Sequence, residues 1–230
     1  MFNIKEEFNS KHTKLKSIIL KPDYFDEAVS LSLEIHSLIH SKKVPQTKIN
    51  TFIDDIMENL DKKCWTEITY NKHRTITYNI WHITRIEDIC TNILMNNGNQ
   101  VLNDSWIKKI NCNIIDTGNA LTPDEISQFS SNINIEELLK YRIEVGKTTQ
   151  RILKKLQIKD MKRKVSSESL KRIIQEKAVS EKEEAVWLID FWGKKTVAGL
   201  VLMPLTRHQL VHLNDCVNIK NKCLKSKKHV

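Results

Sequence analysis

The segment His208-Gln209-Leu210-Val211-His212 sets two imidazoles four residues apart. On a helix that spacing puts both rings on adjacent turns of one face, close enough to share a metal ion. The chain holds a second copy of the pattern, His36-Ser37-Leu38-Ile39-His40, so spacing alone does not decide which pair binds anything. Face geometry separates them. At about 100° per residue, His208 and His212 fall on the stripe of Val201, Leu205, Cys216 and Ile219, which must face a core. His82 lies among Ile86, Ile89 and Ile93 on the apolar side of its own helix. His36 and His40 read as lying at the border between the apolar stripe and solvent. Core histidines are commonly just hydrogen-bonded, and that reading stands beside the metal one for each residue singly. For three together, coordination supplies a common reason for burial, because the ion takes the lone pairs and the other ring nitrogens bond neighbouring acceptors. Three nitrogens with an open position form the donor set of a catalytic zinc site, where a bound water is acidified or an anionic atom captured. Cys216 continues the stripe, but ligands on three successive turns span too far for one ion, so it reads as a core thiol.

The elements that would carry these rings are legible in the periodicity. Apolar residues at helical spacing define a helix over residues 23–41, a short amphipathic piece over 49–60, and a long helix over 75–96 that contains His82 and is stopped by Asn96-Asn97-Gly98. Residues 97–134 are turn-rich, with room for at most two short helices, and a connection of that length suggests a functional lid or pocket wall. Within it, Thr122-Pro123-Asp124-Glu125 is a helix start. Further helices are expected over 135–156, 166–179 and 181–192, and over 197–222 with a kink or restart at Pro204. With no repeat and no convincing strand, the reading is a single all-α domain over residues 1–230: a four-helix bundle with accessory short helices and a long inter-helix loop.

Composition bounds the rest. Of 230 residues 40% are hydrophobic, with only 5 Gly and 4 Pro, the profile of a helix-rich globule. No run of about 18 apolar residues appears, and the start, Met1-Phe2-Asn3-Ile4-Lys5, carries no secretion-type segment. The expectation is a cytoplasmic protein with no membrane partner. Five cysteines at wide spacing, without a C-x-x-C, read as reduced core thiols. The net charge is +9, but five lysines lie within residues 220–230, without an acid among them, and that stretch reads as a flexible basic tail. The basic run from Lys154 to Arg172 lacks the interleaved aromatics of a base-stacking surface, so nucleic acid is not the expected partner.

The string Thr75-Ile76-Thr77-Tyr78-Asn79-Ile80-Trp81-His82-Ile83-Thr84-Arg85-Ile86-Glu87-Asp88, followed downstream by Met203-Pro204-Leu205-Thr206-Arg207-His208-Gln209-Leu210-Val211-His212-Leu213-Asn214, resembles the DinB-like (YfiT-like) superfamily of metalloenzymes. The resemblance implies a four-helix bundle whose divalent metal, zinc or nickel, is held by His82, His208 and His212, and it implies homodimers. Some members are S-transferases or isomerases that use bacillithiol, mycothiol or glutathione. For this chain the implication is a thiol S-transferase or small-molecule hydrolase, with a low-molecular-weight thiol as a candidate cofactor. The alternative is a non-enzymatic stress-response interaction module with a structural metal or none. Beside the ligand segments, Arg85 and Arg207 are candidates to hold an anionic substrate, or ordinary salt-bridge partners of Glu87, Asp88 or Asp215. Asp88 and Asp215 are candidate acceptors for imidazole N–H groups, and Tyr78 and Trp81 read as packing residues.

Overall fold

The computed structural model describes residues 4–68 and 73–226. In chain order the helices are α1 (Ile4–Ile18), α2 (Phe25–Ile39), α3 (Phe52–Met57), α4 (Lys62–Thr66), α5 (Ile76–Asp88), α6 (Asp104–Ile110), α7 (Pro123–Asn132), α8 (Ile135–Leu153), α9 (Ile158–Met161), α10 (Ser167–Gln175), α11 (Glu183–Gly193), α12 (Val197–Leu202) and α13 (His208–Ser226). The described residues contain no strand, only an isolated antiparallel bridge between Lys164 and Thr196. Many starts are fixed locally. Thr75, Asn103, Thr122, Asn134, Ser166 and Thr196 each accept a backbone N–H of the first turn, satisfying a donor that would otherwise lack a partner. Asn111, in the left-handed region at φ 57°, ends α6.

All thirteen residues of α5 are buried. This is more than the one-sided burial its apolar spacing suggests, because α5 packs against α8 and α13 and is also touched by α4 and α7. α2 packs against α1, α8 and α13. A helix buried on every face must satisfy its polar side chains inside the protein, and α5 carries Asn79, His82, Arg85, Glu87 and Asp88, each with internal partners.

Two of the long elements pass through a π-helical turn. α5 continues into Ile89–Met95, and Met203–Arg207 joins α12 to α13. Pro204 has no N–H to give, the His208 N–H reaches back five residues to the Met203 carbonyl, and Thr206 Oγ1 donates to the Val201 carbonyl at 2.7 Å. The expected restart at Pro204 therefore takes the form of a widened turn. One inserted residue rotates the downstream helix by about 100°, so this turn sets the phase at which the α13 histidines face α5.

Several expectations are corrected. α1 has no counterpart in the periodicity reading, yet it buries Phe8, Leu15 and Ile18 against the core. The basic C-terminal stretch is helical as far as Ser226; Lys220 donates to the Asp55 and Glu58 carbonyls, and Cys223 is disulfide-bonded to Cys64. Residues 227–230 lie outside the described residues, as do residues 1–3. Cys90, Cys112 and Cys216 are buried free thiols, so the all-reduced reading holds for these alone. The 159 residues separating the bonded pair left it without a sequence signal. Among the described residues, no helix is long and apolar enough to cross a membrane.

Candidate metal centre

His82, carried by α5, meets His208 and His212, one turn apart at the start of α13. The ring centroids lie 4.6 Å apart for 82–212 and 208–212 and 5.1 Å apart for 82–208, with planes inclined by 49–59°. The Nε2 atoms of His82 and His208 are 3.2 Å apart, and one ligand nitrogen from each ring lies within 4.8 Å of the others.

The outward-facing nitrogens decide the tautomers. His82 Nδ1 is 2.8 Å from the Thr117 carbonyl; a carbonyl only accepts, so Nδ1 carries the proton and Nε2 presents a bare lone pair. His212 Nδ1 is 2.7 Å from Asn79 Oδ1, and Asn79 Nδ2 donates to the Thr75 carbonyl at 2.9 Å. The amide is thereby oriented with its oxygen toward the ring, so the proton of His212 sits on Nδ1 and its Nε2 is unprotonated. Burial pushes the His82 imidazole down to about 4, and burial together with the His82 ring holds His208 well below its ordinary value. Both rings are neutral at pH 7, as ligands must be. The donor set fits a divalent ion, since two of three rings have the N–H acceptor that metal-binding imidazoles require. His208 Nδ1 is buried without a partner.

The acceptor for His82 comes from the segment expected to be a lid. Between α6 and α7 the chain runs along α5, and four successive carbonyls are each engaged by an α5 side chain. Ile115 O accepts from Arg85 Nε at 2.9 Å, Asp116 O from Trp81 Nε1 at 3.1 Å, Thr117 O from His82, and Gly118 O from the Tyr78 hydroxyl at 3.2 Å. Gly118 makes the turn at φ 74°, with the Tyr78 ring 3.2 Å from where a Cβ would sit, which favours glycine twice over. Tyr78 and Trp81 thus tie down the loop as well as pack.

Of the two roles read for Arg85, the structure shows the salt bridge to Asp88 and not the anion site. The Arg85 side chain is about 1% exposed and is satisfied by Ile115 O, Asp88, Tyr141 and Gln100, which leaves it closed to a substrate. Asp88 is not an imidazole acceptor: it accepts from Arg85, Tyr141, Asn92 and the backbone N–H groups of Val101 and Leu102, anchoring the start of the 97–134 segment. Arg207 binds α1, through Asn9 at 2.7 Å and His12 at 3.3 Å, with its guanidinium over the Phe8 ring. Asp215 forms an ion pair with Arg74 at 3.8 Å.

The second histidine pair lies in the core, not at its border. His36 and His40 are fully buried and donate from Nε2 to the two oxygens of Glu87, at 2.7 and 2.8 Å. Thr149 adds a donor to Oε1 and Gln209 one to Oε2. The same Gln209 amide donates to the Ile83 carbonyl and accepts from Arg142 at 2.9 Å. Burial lowers His40 to about 3, while Glu87, despite its burial, is held well below the usual carboxylate range by the charge interaction and hydrogen bonds of His40 and His36. The cluster is thus an ionised carboxylate held between two imidazoles, with the Arg142 guanidinium linked to it through Gln209. Its residue types could hold a metal, but the contrast with the first cluster is physical. The two rings are stacked at 21°, each aimed at a separate oxygen, and neither Nδ1 has a partner, whereas in the first cluster two of the three rings have the acceptor that metal-bound imidazoles favour. The missed signals were Asn79 and Glu87 on α5, and Gln209 inside the H-x-x-x-H segment, all polar residues at positions that must be buried.

Compared with models of known protein families and with curated proteins, the chain matches none. The geometry therefore carries the functional reading by itself.

Proposed function

We propose that this chain is a metal-dependent enzyme of the DinB-like type, with α2, α5, α8 and α12–α13 as the four principal helices and a divalent ion on His82, His208 and His212. The observation that carries the reading is that carbonyl acceptors put the protons of His82 and His212 on Nδ1, leaving unprotonated Nε2 atoms in a group of three imidazoles whose ligand nitrogens lie within 4.8 Å of one another. A zinc or nickel ion bound there supplies Lewis acidity, lowering the pKa of a water or low-molecular-weight thiol in its remaining position. The protein's own part is preorganisation. Thr117 and Asn79 hold two rings, burial disfavours protonation of His82 and His208, and Gln209 fixes α13 on α5 through Ile83 and Glu87. The reaction class supported is hydrolysis or thiol transfer to a small electrophile, because both need a deprotonated nucleophile at neutral pH.

Metal analysis of the purified chain and of His208→Ala tests this. About one zinc or nickel ion per chain, lost in the variant while helical circular dichroism is retained, is the expected result. An equally metal-free wild type, after purification without chelator and reconstitution, refutes it. Chelation that unfolds the chain would instead mark the ion as structural and the protein as an interaction module.

A further inference from the structure

Arg85 and Arg207 are engaged elsewhere, yet a third arginine borders the triad. Arg74 lies just ahead of Thr75, the N-cap of α5, while Tyr78 and His82 share a face of α5 one turn apart, and ring contacts stack the three in one column. The guanidinium carbon lies 5.9 Å from the Tyr78 ring centroid, and that ring stacks on the His82 imidazole at 5.8 Å and 13°. On the other side, Arg74 Nη1 is 3.8 Å from Asp215 Oδ2, on the turn of α13 that follows His212. Arg74 therefore spans α5 and α13 on the side of the histidines. Its charge also helps lower the proton affinity of both His82 and His208. Its side chain is 36% exposed while His82 and His212 are 4% and 5% exposed, so the column runs inward from solvent to the triad. Among the described residues, its contacts to Tyr78 and Asp215 are longer than hydrogen bonds, which leaves a planar fork of donors suited to an oxyanion.

We infer that Arg74 anchors the ligand of this centre and that the ligand is a small oxyanion-bearing molecule, one end held by the guanidinium while another atom takes the open position at the metal. The inference rests on the reading of His82, His208 and His212 as a metal site. A salt bridge that merely ties α13 to the start of α5 would also place Arg74 beside Asp215, and the test separates the two roles.

The full chain is loaded with cobalt(II), and its visible spectrum is followed during titration with malonate, succinate and glutarate, which offer two carboxylates at three spans, and with acetate as the single-carboxylate control. At least one dicarboxylate should bind about tenfold more tightly than acetate, a margin that fits a charge-assisted hydrogen bond pair. Arg74→Gln should abolish that margin while cobalt still binds at one ion per chain, and Arg74→Lys, which keeps the charge but loses the fork, should restore only part of it. A margin that survives in Arg74→Gln, or the lack of one in wild type, overturns the inference. Cobalt that fails to bind the wild type, or that binds His208→Ala equally well, overturns the metal reading itself and this inference with it.

Discussion

Asn79→Ala removes the acceptor that holds the His212 ring, and its effect should appear mainly in the metal-bound state. In the metal-free protein His212 can change tautomer or turn, recovering part of the lost bond. With an ion on Nε2, however, the proton must sit on Nδ1, in a ring about 5% exposed and without the 2.7 Å contact to Oδ1. Leaving a buried donor unpaired costs about 1–3 kcal/mol, which corresponds to about 5- to 150-fold in a dissociation constant. Loss of the acceptors behind metal-bound imidazoles has consequences of this size in general. The assay is competition for zinc against a chromophoric chelator at pH 7.5, with wild type and Asn79→Ala side by side. Asn79→Asp, which restores an acceptor, should recover the affinity. Asn92→Ala, another buried asparagine of the same continuous helix whose amide bonds Asp88, should lower stability without changing zinc affinity. If Asn79→Ala binds zinc within twofold of wild type while still folded, the tautomer argument is refuted.

The same geometry yields other expected outcomes. Cys223→Ser opens a cross-link spanning 159 residues, for which chain entropy sets a ceiling of about 5 kcal/mol; the urea midpoint should fall accordingly, and dithiothreitol should shift only the wild type. Gly146→Ala would place a Cβ 2.6 Å from His40 Nδ1, an overpacking expected to cost about 1–3 kcal/mol in chemical denaturation, and a wild-type midpoint would show that the His40 ring can yield. Acid should weaken the fold through His40. Its folded value of about 3 lies below the ordinary 6.5, so between these values the unfolded chain takes up a proton that the folded chain refuses, and stability rises with pH across that window. Above pH 6.5 the effect is absent, and at pH 5 it amounts to about 2 kcal/mol; equal urea midpoints at pH 5 and pH 7 would contradict it.

The sequence determined the helical class and the candidate histidine triad. Helical spacing is a local property, and His208 and His212 announce a shared face because a turn of helix brings residues four apart together whatever surrounds them. Pro204 likewise announced a break, since a missing N–H acts locally. Tertiary structure decided what each of the two histidine pairs meets. His36-x-x-x-His40 and His208-x-x-x-His212 are equivalent as patterns; they differ because one pair meets a carboxylate that uses its Nε2 atoms, while the other meets an imidazole. The same holds for the arginines. Nearness in sequence pointed to Arg85 and Arg207, but direction around a helix buried on every face turned Arg85 toward the loop, and packing gave Arg207 to α1. Arg74 came to the triad only because α13 crosses α5 where Asp215 can meet it. A spacing rule fixes which residues share a face, and only the docked partner fixes what that face touches.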